Sequence, residues 1–219
     1  MDDTVGARIV EVRERIGAAA RRSGRDPSDV MLVGASKTVD ADRLGEAVDA
    51  GLVELGENRA QELLAKAPLL AASNRTPHWH FLGRLQRNKV AALAPHVVLW
   101  HSVDRARLGE VIARRAGAAR VLVEVNLGDE PQKAGCPVTG VGPLVDDLRE
   151  LGLAVDGLMT IPPRAAEARR AFATLRELAN DLGVSELSMG MTDDFEVAVE
   201  EGATIVRVGR AIFGPRPAL

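Results

Sequence analysis

The sequence predicts an α/β chain folded as a (β/α)8 TIM barrel, with an extra helix ahead of the first strand. Three observations point there. Eight short apolar runs alternate with stretches of helical spacing, the pattern of parallel βαβ units. Eight strands close such a barrel, and 219 residues sit at the compact end of its size range. An open doubly wound sheet, the rival, would carry a glycine-rich phosphate turn after its first strand, where VGASKT has a single glycine.

The elements follow in order. Residues 4–22 place Ile9, Val12 and Ile16 on one face and read as the leading helix. The strand runs are 31–34, 53–55, 80–82, 97–100, 121–125, 155–159, 186–189 and 204–208. Between them, helical spacing recurs in Leu44/Val48, Leu63/Leu64/Ala67, Leu108/Val111/Ile112, Leu144/Leu148/Leu151 and Phe172/Leu175/Leu178/Leu182. Gly51, Gly117, Gly152, Gly183 and Gly202 stand where those helices would stop. Asp193 with Glu196 reads as a capping box opening the last helix. No linker, repeat or low-complexity segment divides the chain, so residues 1–219 read as a single domain with a frayed tail at 215–219.

Composition narrows the classes. A hydrophobic content of 46% fills a core without metal or disulfide staples. The lone cysteine, Cys136, excludes an internal disulfide framework and fits a reducing compartment. With no signal peptide, lipidation motif or membrane-spanning run, the expected location is the cytoplasm. A net charge of -3 argues against a general nucleic-acid surface. Of 28 basic residues only Lys37, Lys66, Lys89 and Lys133 are lysine, which marks them for work a guanidinium cannot do. There is no tyrosine, so no phenol of this chain can act as acid or base.

Function in a barrel collects where strands end, and the loops after the seventh and eighth strands often hold a phosphate. The strand ends read as Lys37, Asn58, His80, His101, Asn126 and Thr160, then Ser188 to Thr192, then Arg207 to Arg210. Lys37 has two readings: an ordinary loop lysine, either solvated or a partner for Asp40 or Asp42, or a Schiff-base amine. The second needs an amine that can shed its proton, which desolvation or a neighbouring cation promotes. Arg207, on the strand that closes against the first, supplies such a cation. In SMGMTDD and VRVGR, Gly190 and Gly209 let backbone amides approach a phosphate, and Thr192 offers a hydroxyl. The pair Asp193–Asp194 opposes an anion unless it caps the following helix. His78 and His80 face one side with no carboxylate or thiol at ligand spacing, so no metal site is expected. RLQRNK reads as a solvated helix start, and Cys136 as inert.

Taken together, VGASKT, LGENRAQE, WHFLGRLQRNK, the E-x-x-K-x-G of 130–135, GLMTI and LSMGMTDDFEVAVEEGATIVRVGRAIFG resemble the YggS/PROSC family. These are pyridoxal 5′-phosphate (PLP) homeostasis proteins related to the N-terminal barrel of alanine racemase. The resemblance runs from the first strand to Gly214. It implies a fold-type III PLP barrel with Lys37 as the covalent aldimine lysine and Arg207 facing the pyridine nitrogen. It further implies that Gly209 and Arg210, through their amides, and Thr192 hold the phosphate, with Ser188 and Gly190 in the same loop. Asn58 would lie near the ring, with His80 and Met159 lining the pocket. The family often has an aromatic after GEN where this chain has Arg59, which bears on local packing only.

The implied role is PLP storage and supply to apo-PLP enzymes, affecting amino- and keto-acid balance, by a monomer with no nucleic-acid or membrane partner. A pyridine facing an arginine is a weaker electron sink than a pyridinium. Racemisation also needs acid–base groups on both faces of Cα. The related racemases draw one of these, a tyrosine, from a partner subunit's extra domain. The carrier reading is therefore favoured over a slow PLP-dependent racemase, and over a PLP-free aldolase-type barrel using Lys37 directly.

Overall fold

The computed structural model describes residues 4–128, 134–162 and 167–215. Every predicted run becomes a strand: β1 (Met31–Ala35), β2 (Glu54–Glu57), β3 (His78–Phe81), β4 (Val97–Val103), β5 (Arg120–Asn126), β7 (Ala154–Met159), β8 (Glu186–Ser188) and β9 (Ile205–Val208). A two-residue strand, β6 (Cys136–Pro137), adds to β5 outside the ring. All pairings are parallel. The order β4-β3-β2-β1-β9-β8-β7-β5 is closed by pairing of β4 with β5, so the eight strands form a complete barrel.

Alternation along each strand builds two cores. The outward residues Leu32, Leu55, Trp79, Phe81, Val121, Val123, Leu158, Leu187, Val206 and Val208 pack beneath the helices. Inward-facing Val33, Leu99, Leu122, Met159 and Ile205 form a small separate cluster inside the barrel. Each fully buried side chain of this kind contributes about 1.5–3 kcal/mol. The rest of the interior is polar, holding His80, His101, Glu124, Thr160, Ser188 and Arg207.

The outer helices are α2 (Ala41–Asp49), α3 (Ala60–Ala72), α4 (Val90–Leu93), α5 (Ala106–Ala116), α6 (Val141–Glu150), α7 (Ala168–Leu182), α8 (Phe195–Glu200) and α9 (Arg210–Phe213). The leading helix, α1 (Val5–Arg22), is capped by Thr4, whose hydroxyl accepts from the Ala7 amide at 3.2 Å. Its buried face of Val5, Ile9, Val12 and Ile16 packs on α8, α9 and α2. Arg15 and Arg25 fasten it, the first to Glu196 at 3.0 Å and the second to the Val199 and Ala203 carbonyls at 2.9 Å. Gly183 ends α7 in the left-handed region (φ 63), as its position in the sequence predicts. None of the described helices is long and apolar enough to cross a membrane.

Three expectations need correction or bounds. The capping box at Asp193–Glu196 does not form, because both carboxylates are drawn elsewhere: Glu196 to Arg15 and Asp193 to Arg210. The helix starts at Phe195, with Asp194 as an N-cap that makes no side-chain bond to it, and α9 follows it. His80 and His101 do not end their strands. β3 runs on to Phe81 and β4 to Val103, which puts both imidazoles inside the barrel, below its rim. The E-x-x-K motif at 130–133, with Lys133, and the tail at 216–219 lie outside the described residues.

Candidate cofactor-binding site

The site is built around the turn that follows β1. Lys37 is half-buried there, and among the described residues its ammonium has no hydrogen-bond or ion-pair partner. Asp40, one of the two carboxylates the ordinary reading offers it, caps α2 by accepting from the Arg43 amide at 2.8 Å. The next residue, Thr38, has φ 66, a conformation that a β-branched residue adopts only under strain of about 1–3 kcal/mol. Its amide donates to Glu62 at 2.8 Å, and its hydroxyl to the Lys37 carbonyl at 2.6 Å.

A buried ionic knot under this turn holds it in place. Lys66 of α3 donates to Glu57 at 2.7 Å, to Glu62 at 2.8 Å and to the Ser36 carbonyl at 2.9 Å. The fully buried Glu57 also accepts from the Ser36 hydroxyl at 2.8 Å and the Asn58 amide at 2.7 Å. Lys37 and Asn58 therefore hang from one anchor. Beyond Asn58 opens a cleft of about 640 Å³, lined by Arg59, Arg84, Lys89 and Arg105 among others.

The loops after β8 and β9, the seventh and eighth strands of the barrel, face the Lys37 turn. Gly190 has φ 93, and a Cβ there would stand 2.6 Å from the Ala198 Cβ and 2.9 Å from the Phe195 Cα. Gly190→Ala is expected to cost about 1–3 kcal/mol in denaturant unfolding, from backbone strain before any clash is relieved. A Cβ on Gly209 would lie 3.0 Å from the Ala35 carbonyl, so the β9 loop touches the end of β1 directly. The two loops are tied together: the Ala211 amide donates to the Thr192 hydroxyl at 3.4 Å, and Arg210 to Asp193 at 2.6 Å. The Ile212 and Phe213 amides of α9 go to the Gly209 carbonyl at 3.0 and 2.8 Å, so within its first turn only the Arg210 amide is left to meet a ligand.

Arg207 stands on β9 in register with Val33 of β1. It is 5% exposed and donates to the Ser188 hydroxyl at 2.6 Å and the Thr160 carbonyl at 2.9 Å. Burial pulls its pKa down to about 10, against Asp194 and Glu124, so it stays cationic at neutral pH. Ser188 is paired in register with Met159, itself buried in the interior cluster. His80 bonds His101 and Glu54, each at 2.8 Å. Glu124, nine-tenths buried on β5, is lifted to about 7 by burial and then by Asp104, with Arg207 and Arg84 opposing.

The strand ends thus gather Lys37, Asn58, Gly190, Thr192, Gly209 and Arg210 at one mouth, with Ser188, Arg207, Met159 and His80 beneath it. The arrangement fits a phosphorylated aldehyde such as PLP. It offers a primary amine without a partner among the described residues, a buried guanidinium on the adjoining strand β9, and two loops whose glycines a Cβ would crowd.

Comparison with known proteins bears on this directly. Residues 11–217 match the family described as alanine racemase, N-terminal domain. The pyridoxal phosphate homeostasis protein of Aquifex aeolicus (strain VF5) is 44% identical over 223 residues, covering 95% of this chain and 97% of that protein. This chain belongs to the pyridoxal phosphate homeostasis protein family. The protein of that name from Pseudomonas aeruginosa is 42% identical, covering 97% and 96% of the two chains. PipY of Synechococcus elongatus, solved with PLP bound, superposes with a TM-score of 0.80 at 37% identity, over 93% of this chain and 100% of that one.

Sequence reading missed several members of the site in this homeostasis-family chain. Glu62 and Lys66 are four apart on a helix, a spacing that signals an ion pair, but their tie to the Lys37 turn is a tertiary fact. Glu54 escaped notice because it comes from the strand beside the two histidines it bonds, 24 residues before His78 and 26 before His80. Cys136 is buried and free, and burial raises its thiol pKa, which disfavours the reactive thiolate.

Proposed function

We propose that this chain binds PLP at the mouth of its barrel, with Lys37 as the covalent attachment point, and serves intracellular PLP homeostasis and supply. The observation that carries the reading is Lys37 itself. Its amine lacks a partner among the described residues, on a strained turn fastened by Glu57, Glu62 and Lys66, against the Gly209 loop. PLP, when bound, supplies an aldehyde that condenses reversibly with amines. The chain's residues do the rest. Gly209 and Arg210, through their amides, and Thr192 take the phosphate, with Gly190 allowing close approach and Ser188 at the base of that loop. Asn58, His80 and Met159 border the ring. Arg207, a donor with no lone pair to spare, holds the pyridine nitrogen unprotonated.

A weak electron sink and the lack of any tyrosine in this chain support a carrier over a catalyst. Delivery to apo-PLP enzymes, with its effect on amino- and keto-acid balance, follows from that role. The same proposal takes the chain as one domain acting as a cytoplasmic monomer, its lone cysteine buried and unpaired. A second reading, a slow PLP-dependent racemase, rests on Glu124, a buried carboxyl whose pKa is lifted to about 7, where acid–base work is done.

Protein reconstituted with PLP should show the visible band of the lysine-bound cofactor and keep it through desalting. Lys37→Ala should lose both, and retention of the band in that variant would overturn the proposal. In heavy water, exchange at Cα of alanine faster than about 1 s⁻¹ would favour the enzyme reading.

A further inference from the structure

Positive charge is gathered in one sector of a chain that is acidic overall. Residues 84–115 hold seven arginines and lysines against two acids, Asp104 and Glu110, whereas the whole chain carries -3. The first of these cations belong to RLQRNK, a motif that the PLP reading leaves without work. In the structure the motif forms one wall of the cleft of about 640 Å³ beyond Asn58. The other walls come from the loop after β2, with Arg59, and the loop after β4, with Arg105. A second cleft of about 420 Å³, lined by Arg87, Arg114 and Arg115, shares the Arg87–Lys89 turn.

The charges around the larger cleft are only partly spent. Arg59 reaches Glu62 at 3.5 Å, a long contact at the surface, and Arg105 pairs with Asp104 and reaches the Leu85 carbonyl at 3.4 Å. The Arg84 and Lys89 side chains make no hydrogen bond or ion pair among the described residues, although the field of Arg84 reaches Glu124. Like charges gathered without counter-charges repel one another, and an anion seated among them removes that cost. α3 starts at the same wall. Its N-cap, Arg59, makes no side-chain bond to it, and the Ala60 and Gln61 amides have no acceptor inside the helix. Phe81 and Leu85, both buried, supply an apolar floor.

We propose that this cleft binds a small multivalent oxyanion, one carrying two or more phosphate or carboxylate groups, held by Arg84 and Lys89 with Arg59 and Arg105 beside them. Arginine forks match such groups with paired hydrogen bonds. The volume falls within the roughly 300–1,000 Å³ of small-molecule sites, and a concave wall suits a compact ligand better than the flat face of a protein. A single-stranded nucleic acid would need exposed rings to stack on, and Phe81, the one aromatic in the lining, is buried. Asn58 borders both this cleft and the place assigned to the PLP ring, so the occupant sits beside the cofactor. That adjacency rests on the PLP reading above, whereas the charge of the cleft does not.

The test needs no cofactor. Pyrophosphate and citrate, one phosphate and one carboxylate probe, are titrated separately into 15N-labelled protein at low salt, with backbone amides followed by NMR. At least one probe should give saturable shifts at residues 59–61 and 84–89, with a dissociation constant of about 1 mM or tighter. The tighter of the two identifies the charged group of the ligand. Arg84→Ala/Lys89→Ala should weaken that binding about tenfold or more and leave PLP retention unchanged. Shifts confined to Gly190 and Gly209 would put the ion at the cofactor mouth and overturn the proposal. So would shifts that never saturate and spread to Arg114 and Arg115, the mark of general screening. Capture of poly-glutamate where neither small probe binds would also overturn it, in favour of an acidic protein partner. Because PLP is absent from the titration, the fate of the visible band in Lys37→Ala bears on the PLP reading alone.

Discussion

Lys66→Met is expected to lose about 3–5 kcal/mol of folding free energy, the cost of leaving a buried carboxylate without its cation. Glu57 is fully buried, and Lys66 is its one cationic partner among the described residues, at 2.7 Å. The methionine fills nearly the same volume, so packing changes little and the loss reports electrostatics. The damage should also reach the site, because the same ammonium holds the Ser36 carbonyl and Glu62, and Glu62 holds the Thr38 amide. Denaturant unfolding checks the first effect and PLP retention the second. In the double variant Glu57→Leu/Lys66→Met the stability loss should shrink by several kcal/mol, because no unpaired charge remains. Independent, additive losses would contradict this account of the knot.

Glu124→Gln should stabilise the protein, and only at the higher pH values. Burial raises the Glu124 carboxyl from 4.5 to about 7, so between these values the folded chain holds a proton that the unfolded chain has released. Stability then falls as pH rises through that window, and above it the folded state carries the whole penalty. At 1.36 kcal/mol for each pH unit between the two values, the penalty is roughly 3 kcal/mol. The amide never ionises. The variant should therefore match the wild type near pH 4 and exceed it by roughly 3 kcal/mol near pH 8. An equal difference at both pH values would mean that packing, not charge, distinguishes the two side chains.

What the sequence showed of the fold depended on periodicity, and there it served well. All eight runs became barrel strands, and errors at their ends were one to three residues. Those small errors mattered most at the site. Ending β4 at Trp100 put His101 on the rim, whereas continuation to Val103 turns the same imidazole inward to meet His80 and Ser188. Residues in strand-end motifs, Lys37, Asn58 and Gly209, were legible because a barrel sends every strand end to the same mouth. The ionic knot and the interior histidine contacts were not legible. Their members are brought together by barrel closure, with His101 and Ser188 separated by 87 positions. The supposed capping box failed for a related reason: Arg15, 181 positions away, competes for Glu196.

The clasp between the leading helix and the last two helices also sets an order of events during biosynthesis. The apolar stripe of Val5, Ile9, Val12 and Ile16 is translated long before the surfaces of α8 and α9 that cover it. β1 likewise waits for β9 to close the ring. Contacts this distant along the chain form slowly and leave sticky surface open on the ribosome, where chaperones act. The mouth assigned above to the cofactor is therefore complete only once β9 has joined β1.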